Sequence, residues 1–416
     1  MTSSGIRYCL ITALITVLFI LVCWPGYLAA QPQLKEEAQN EEHAYRHSSE
    51  PIGTVREIYD GSLSEDIRVN TFRNIDRLFP VRRVSRGAVV SELPVKLRDM
   101  SDFSFQSGDS EYDLVDVIAL NDVTGLLILH QGHIVHEQYL RGNDQDTRWM
   151  SMSMVKSMTA VLIAAALQDG HIQSMDDLIV EYLPQFKGSA YDGVSVKQLL
   201  LMASGVEWNE TYTDPNSDRR QMLEAQISQE PGAILHLMAS LPRVAEPGTR
   251  WNYSTGETQL AGALVQAATG LRVADYLSEK IWVPLGMQSD AWWWLESPEG
   301  LEIGGSGLSA SLRDFARFGL FMLHGGVIDG KPILPKGWMQ QAGSRHTIGG
   351  EEVEYGYMLW PLHERSYSAV GIFGQFVFVD PDRQLVVAMW SAQSKPTGKE
   401  GVDEYVFLQA LSNYFD

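Results

Sequence analysis

The sequence predicts a mixed α/β fold of the α+β kind, an antiparallel sheet flanked by helices. Strand-like apolar runs at 369–379 and 385–390 are separated only by residues 380–384, with Asp380-Pro381-Asp382 as a turn. So short a link cannot carry a parallel crossover and so favours antiparallel pairing. Residues 124–129 and 133–135 flank Gln131-Gly132 in a hairpin pattern with glycine in the turn. Helical periodicity appears in several places without a regular βα alternation or an internal repeat.

The chain has 416 residues, 45% of them hydrophobic and 10% aromatic. That is enough to bury a large core in one big domain or two modest ones. The formal charge is −20, from 52 acidic against 32 basic residues. A surface so acidic repels phosphate backbones, so nucleic acid is not an expected partner. The two cysteines, Cys9 and Cys23, both lie in the first apolar stretch. The folded body therefore has no disulfide and no thiolate chemistry.

Residues 8–24 are apolar behind Arg7 and are followed by Pro25-Gly26 and Ala29-Ala30, the layout of an export signal. Residues 1–30 are thus expected to be either a cleaved signal peptide or an N-terminal membrane anchor, attached through residues 8–30. Tyr27 and Leu28 spoil the small-x-small cleavage pattern, while the run approaches the ~20 residues that span a bilayer. Either fate places the body outside the cytoplasm, periplasmic or secreted. Residues 31–50 are polar and acid-rich and read as a linker. Residues 51–115 have scattered apolar positions and turn signals, an N-terminal extension expected to pack on the main domain at 116–416.

Along that domain the expected elements follow in order. The hairpin comes first and carries His130, His133 and His136. Strand alternation points neighbouring side chains to opposite faces and no carboxylates accompany the histidines, so neither a metal site nor a cofactor is expected. A helix follows Ser153, with Met154, Met158, Val161, Leu162 and Ala165 at helical spacing and Asp169-Gly170 as its end. A short helix spans 196–202 before Ser204-Gly205, and another spans 258–268 before Gly270. Strands are expected at 355–360, 369–379 and 385–390, and a final helix at 402–414. Trp292-Trp293-Trp294 is expected to fill core. GGSGLS at 304–309 is not a GxSxG nucleophile elbow, because Leu308 occupies the last glycine position, and it is expected to turn near the site.

The chemistry concentrates at Ser153-Met154-Val155-Lys156. A serine hydroxyl is a poor nucleophile at neutral pH and needs a base beside it. Residues three apart on a helix share a face, so Lys156 can aim its amine at the Ser153 hydroxyl. The helix start supplies free N–H groups that favour a neutral amine and can hold an oxyanion. Burial of the helix should lower the lysine pKa, as a base requires. SxxK alone is weak evidence, since a solvated helix lysine produces the same pattern. Tyr253, in the turn 246–256 just before a helix, can relay a proton near a lysine. In Ala369-Val370-Gly371-Ile372 a glycine-containing strand lets a substrate approach the backbone and receive an N–H bond; the alternative is a β-bulge or bend.

In order, SMSMVKS, VKQLLLMASGVEW, PGTRWNYSTGE, GGSGLSASLRDFARFG and GIFGQFVFVDP resemble the landmarks of the penicillin-recognising, serine β-lactamase-like superfamily. The chain is similar to class C β-lactamases, family VIII esterases and, most closely, 6-aminohexanoate-dimer hydrolases, from about residue 116 to the C-terminus. The resemblance implies a β-lactamase/transpeptidase-like fold with an inserted helical subdomain beside the site. It also implies Ser153 as acyl-accepting nucleophile, Lys156 as base and Tyr253 as relay, with the backbone N–H groups of Ser153 and Ile372 as oxyanion hole. Tyr212 matches a loop tyrosine that closes over an amide substrate, and Thr255 and Gly371 fall at substrate-binding positions.

Two departures bear on substrate. Thr255 stands where the β-lactamase YxN pattern has asparagine, and Ala369-Val370 replaces Lys-Thr of KTG. Loss of that lysine removes the charge that would hold a β-lactam carboxylate. The expectation is therefore a serine hydrolase acting on a small linear amide or ester. A peptidoglycan-directed D-amino-acid peptidase or amidase, and a non-catalytic binding protein on the same fold, are the alternatives.

Overall fold

The computed structural model describes residues 45–398 and 401–416. The expected signal peptide or anchor lies outside the described residues, as does most of the expected linker. Among the described residues no helix is long and apolar enough to cross a membrane. Residues 47–416 form one compact unit.

Its centre is a six-stranded antiparallel sheet in the order Trp360–Pro361, Tyr367–Gly371, Gln375–Asp380, Leu385–Ser391, Val123–His130, His133–Tyr139. The expected hairpin turns through Gln131 and Gly132 at φ 50° and 76°, the left-handed pair that a tight hairpin demands. It brings His130 opposite His133. The run Leu126 to Leu129 is apolar throughout because both faces of the sheet are covered. Leu127 and Leu129 face one core with Val377, Val386 and Phe315, from the helix Leu312–Leu323. Leu126 and Ile128 face the other with Phe378, Val387 and Phe407, from the helix Glu404–Tyr414.

Two strand expectations need correction. Residues 369–379 form two strands, not one, reversing through Ile372-Phe373-Gly374 with Phe373 at φ 66° and Gly374 at φ 80°. Buried Gln375 stabilises the reversal: its amide donates to the Phe373 and Ser391 carbonyls and accepts from the Trp149 indole. The apolar run hid this turn because both arms are buried. Of 355–360 only Trp360 pairs in the sheet. Tyr355, Tyr357 and Met358 are buried in an irregular segment, where aromatic packing overrides strand propensity.

Between the strands Trp149–Met150 and Ala291–Trp294 every regular element is helical. The helix expected at 258–268 begins three residues earlier, as Thr255–Thr269, with Ser254 as its N-cap accepting from the Glu257 N–H. Tyr253 is thereby held just ahead of a helix start. Residues 51–115 are woven into the body: Val81–Val84 pairs with Ala291–Trp294 in a second sheet. Trp293 and Trp294 are buried there, as core.

Candidate active site

The turn carrying Ser153 is a single 3-10 turn, Met152–Met154, and the α-helix Val155–Gln168 follows it. Met152 takes φ 43°, a left-handed conformation uncommon for a side-chain-bearing residue. Ser153 therefore precedes the α-helix, on the turn that leads into it. Eclipsing of residues three apart in 3-10 geometry keeps Ser153 and Lys156 on one side.

Lys156 is only 1% exposed. Its Nζ lies 2.9 Å from Ser153 Oγ, 2.9 Å from Thr255 Oγ1 and 2.8 Å from the Gly305 carbonyl oxygen. The Thr255 hydroxyl in turn donates to the Glu210 carboxylate. This directionality decides the chemistry. Gly305 can only accept, and the Thr255 proton is committed to Glu210, so both oxygens take N–H bonds from Lys156. In its neutral form the amine has two N–H bonds and one lone pair, which these two acceptors would leave for the Ser153 hydroxyl. Burial pushes the Lys156 amine down to about 7, with Glu210 raising and Arg219 lowering it. The neutral form is thus accessible near neutral pH.

Thr255 lies against Lys156 and not among the residues lining the cleft. It is buried and its hydroxyl spans Lys156 and Glu210. Glu210, which sequence reasoning passed over, also accepts from the Thr255 N–H at 2.9 Å and from the Trp208 indole. Arg219 Nε is 4.0 Å from its carboxylate. Nothing local in Asn209-Glu210-Thr211 signals this role. Its partner Thr255 lies 45 residues away.

Tyr253 is half-buried, its ring 5.3 Å from Lys156 Nζ and packed on Tyr355 and Trp360. Burial holds its phenol well above the usual value; Glu210 adds to this and Ser153 opposes it. The phenol is therefore protonated at neutral pH and available as a donor. Tyr212 stacks on Tyr59 at 6.3 Å. Ser153, Tyr212, Tyr253, Trp360, Gly371 and Ile372 line one cleft of about 1040 Å³.

Gly371 has a steric reason that its sequence context does not reveal. A Cβ there would lie 2.4 Å from the Ser151 carbonyl oxygen and 3.2 Å from Met152 Cβ. The strand end presses directly on the turn that presents Ser153. Gly371→Ala should displace that turn and lower kcat about 100-fold, with less effect on KM, in steady-state assays of an activated ester. The GGSG turn works similarly: a Cβ on Gly305 would meet Thr255 Cγ2 at 2.8 Å and Lys156 Nζ at 3.2 Å.

The expected site residues thus lie together, with Thr255 against Lys156 and not among the cleft-lining residues; among the described residues no group of three His, Cys, Asp or Glu side chains could hold a metal ion. The sequence profile of the Beta-lactamase family matches residues 122–411. The chain belongs to the β-lactamase family. This β-lactamase-family hydrolase is 30% identical over 287 residues to the 6-aminohexanoate-dimer hydrolase of Paenarthrobacter ureafaciens, covering 65% of this chain and 72% of that protein. Its fold is shared with a Bacillus anthracis protein provisionally named 6-aminohexanoate-dimer hydrolase, at TM-score 0.75 and 22% identity over 85% of this chain and 94% of that one. A penicillin-binding protein homologue from Caulobacter crescentus matches at TM-score 0.54 and 18% identity, over 70% and 91%. Helices around an antiparallel sheet are the architecture these neighbours share with it.

Proposed function

We propose that this β-lactamase-family protein cleaves a small linear amide or ester through an acyl-enzyme on Ser153, as its similarity to a 6-aminohexanoate-dimer hydrolase suggests. The observation that carries the reading is the buried Lys156 amine, 2.9 Å from Ser153 Oγ, with two further acceptors, Thr255 Oγ1 and the Gly305 carbonyl oxygen, within 2.9 Å. In the first step Lys156 takes the hydroxyl proton as Oγ bonds to the carbonyl carbon. The carbonyl oxygen becomes an oxyanion, held by the backbone N–H groups of Ser153 and Ile372. Tyr253 donates its proton to the departing nitrogen or oxygen and is reprotonated from Lys156. Water then attacks the acyl carbon by the reverse relay, freeing Ser153 and a carboxylate product.

Val370 and Ile372 give the cleft an apolar wall beside the serine, which favours an uncharged or apolar acyl group over a β-lactam carboxylate. Tyr212 is suited to cover the substrate. The apolar run in residues 8–24 supports work outside the cytoplasm.

Intact-mass measurement after brief exposure to an activated short-chain ester tests the reading. The body without residues 1–30 should show one acyl adduct or rapid turnover, and Ser153→Ala neither. Equal turnover by the variant would sink the catalytic reading.

A further inference from the structure

The helix Val55–Asp60 precedes the stretch 122–411 matched by the family profile, yet it reaches the active-site loop. That loop, residues 209–217, closes onto the start of the helix Asp218–Ser228: the Asn209 N–H donates to Asp218, the Arg219 N–H to the Asn209 carbonyl, and the Ser217 hydroxyl to the Thr211 carbonyl. The helix then presents two consecutive arginines, Arg219 and Arg220, to the N-terminal helix.

Each arginine bridges the two elements. Arg219 donates to the Tyr59 hydroxyl, and its guanidinium carbon lies 4.6 Å from the Tyr59 ring centre. Its Nε is 4.0 Å from Glu210, whose carboxylate accepts the Thr255 hydroxyl that fixes Lys156. Arg220 donates to Asp60 at 2.7 Å and to the Tyr212 carbonyl oxygen at 3.2 Å. The Tyr59 and Tyr212 rings stack with an interplanar angle of 29°. Tyr59 is buried at 1% exposure, so this is packed structure.

We propose that the helix Val55–Asp60 is a working part of the active site, in which Tyr59 and Asp60 are positioning residues that hold Arg219 and Arg220, and through them Glu210 and Tyr212, in place. The proposal rests on Lys156 as base and Ser153 as nucleophile, and is independent of which amide or ester is the substrate. Its physical content is electrostatic. Glu210 holds the Lys156 amine toward its ammonium form and Arg219 opposes this. An Arg219 released from Tyr59 would leave Glu210 less balanced, so Lys156 would stay protonated to higher pH.

The test uses the full chain and an alkyl fluorophosphonate, so that no hydrolytic substrate is needed. The Ser153 oxygen bonds to phosphorus, the P–F bond breaks, fluoride leaves, and the hydroxyl proton passes to Lys156. Labelling rate against pH, read by intact mass, should show in Tyr59→Phe an acid limb displaced upward by about one unit. The alkaline plateau should be reduced less than the rate at neutral pH. An acid limb that stays in place, whether the rate is unchanged or lowered equally at all pH values, overturns the proposal. No labelling of the wild type beyond that of Ser153→Ala overturns it together with the nucleophile assignment. Should Tyr59→Phe fail to fold, Asp60→Asn decides, its side chain being half-exposed. Freed from Asp60, Arg220 should loosen Tyr212 and raise KM for an activated ester about fivefold; an unchanged KM overturns the proposal.

Discussion

Lys156→Met should abolish turnover of an activated ester and at the same time raise the melting temperature. The catalytic loss follows, in the proposed mechanism, from removal of the amine that lies 2.9 Å from Ser153 Oγ and serves as its base, an effect on the order of 10²–10⁴-fold. The stability gain follows from the same burial. The Lys156 pKa is about 7 in the folded chain, against 10.5 for an exposed lysine. Between those values the unfolded chain binds more protons, so the wild type gains stability as pH rises through that window. Below about pH 7 the folded chain buries an ammonium and bears the full cost. The variant should therefore exceed the wild type in Tm most clearly below pH 7, the difference shrinking toward pH 10.5. The wild-type kcat/KM should rise with pH through an acid limb near 7. Thermal unfolding and pH–rate profiles check both halves. A Lys156→Met variant that retains wild-type turnover would remove Lys156 as the base.

Thr255→Val should lower kcat by about ten- to a hundredfold while leaving KM nearly as it was. The hydroxyl accepts from Lys156 and donates to Glu210, and a hydrogen bond to a charged group is worth about 1.5–3 kcal/mol. Without it the Lys156 amine loses one of the two acceptors that orient its lone pair. Thr255 is buried away from the cleft lining, so substrate affinity has no direct reason to change. Steady-state kinetics separate the two roles. A raised KM with kcat held would return Thr255 to the substrate-binding position its place in the motif implies.

The parts of the site legible in the sequence are those whose geometry is local. Ser153 and Lys156 are three residues apart, and any tight helical turn brings them together. Tyr253 was legible because a helix start follows it directly, fixed by the Ser254 cap. The central sheet was legible where turns are punctuated, at Gln131-Gly132 and Asp380-Pro381-Asp382. It was not legible at Ile372-Phe373-Gly374, where the reversal depends on buried Gln375 reaching Trp149 across 226 residues of sequence.

By itself, then, the sequence determined the class of fold and the family, and it singled out Ser153 and Lys156 as candidates, because periodicity, turn residues and close spacing act within a few residues. Tertiary structure alone decided what surrounds them. It joined the Thr255 hydroxyl to Glu210, pressed Gly371 against the Ser153 turn, and brought Tyr59 of the N-terminal extension within one arginine of Glu210. The reason is physical: hydrogen-bond direction, steric clearance and charge balance depend on atoms that meet only when distant segments pack.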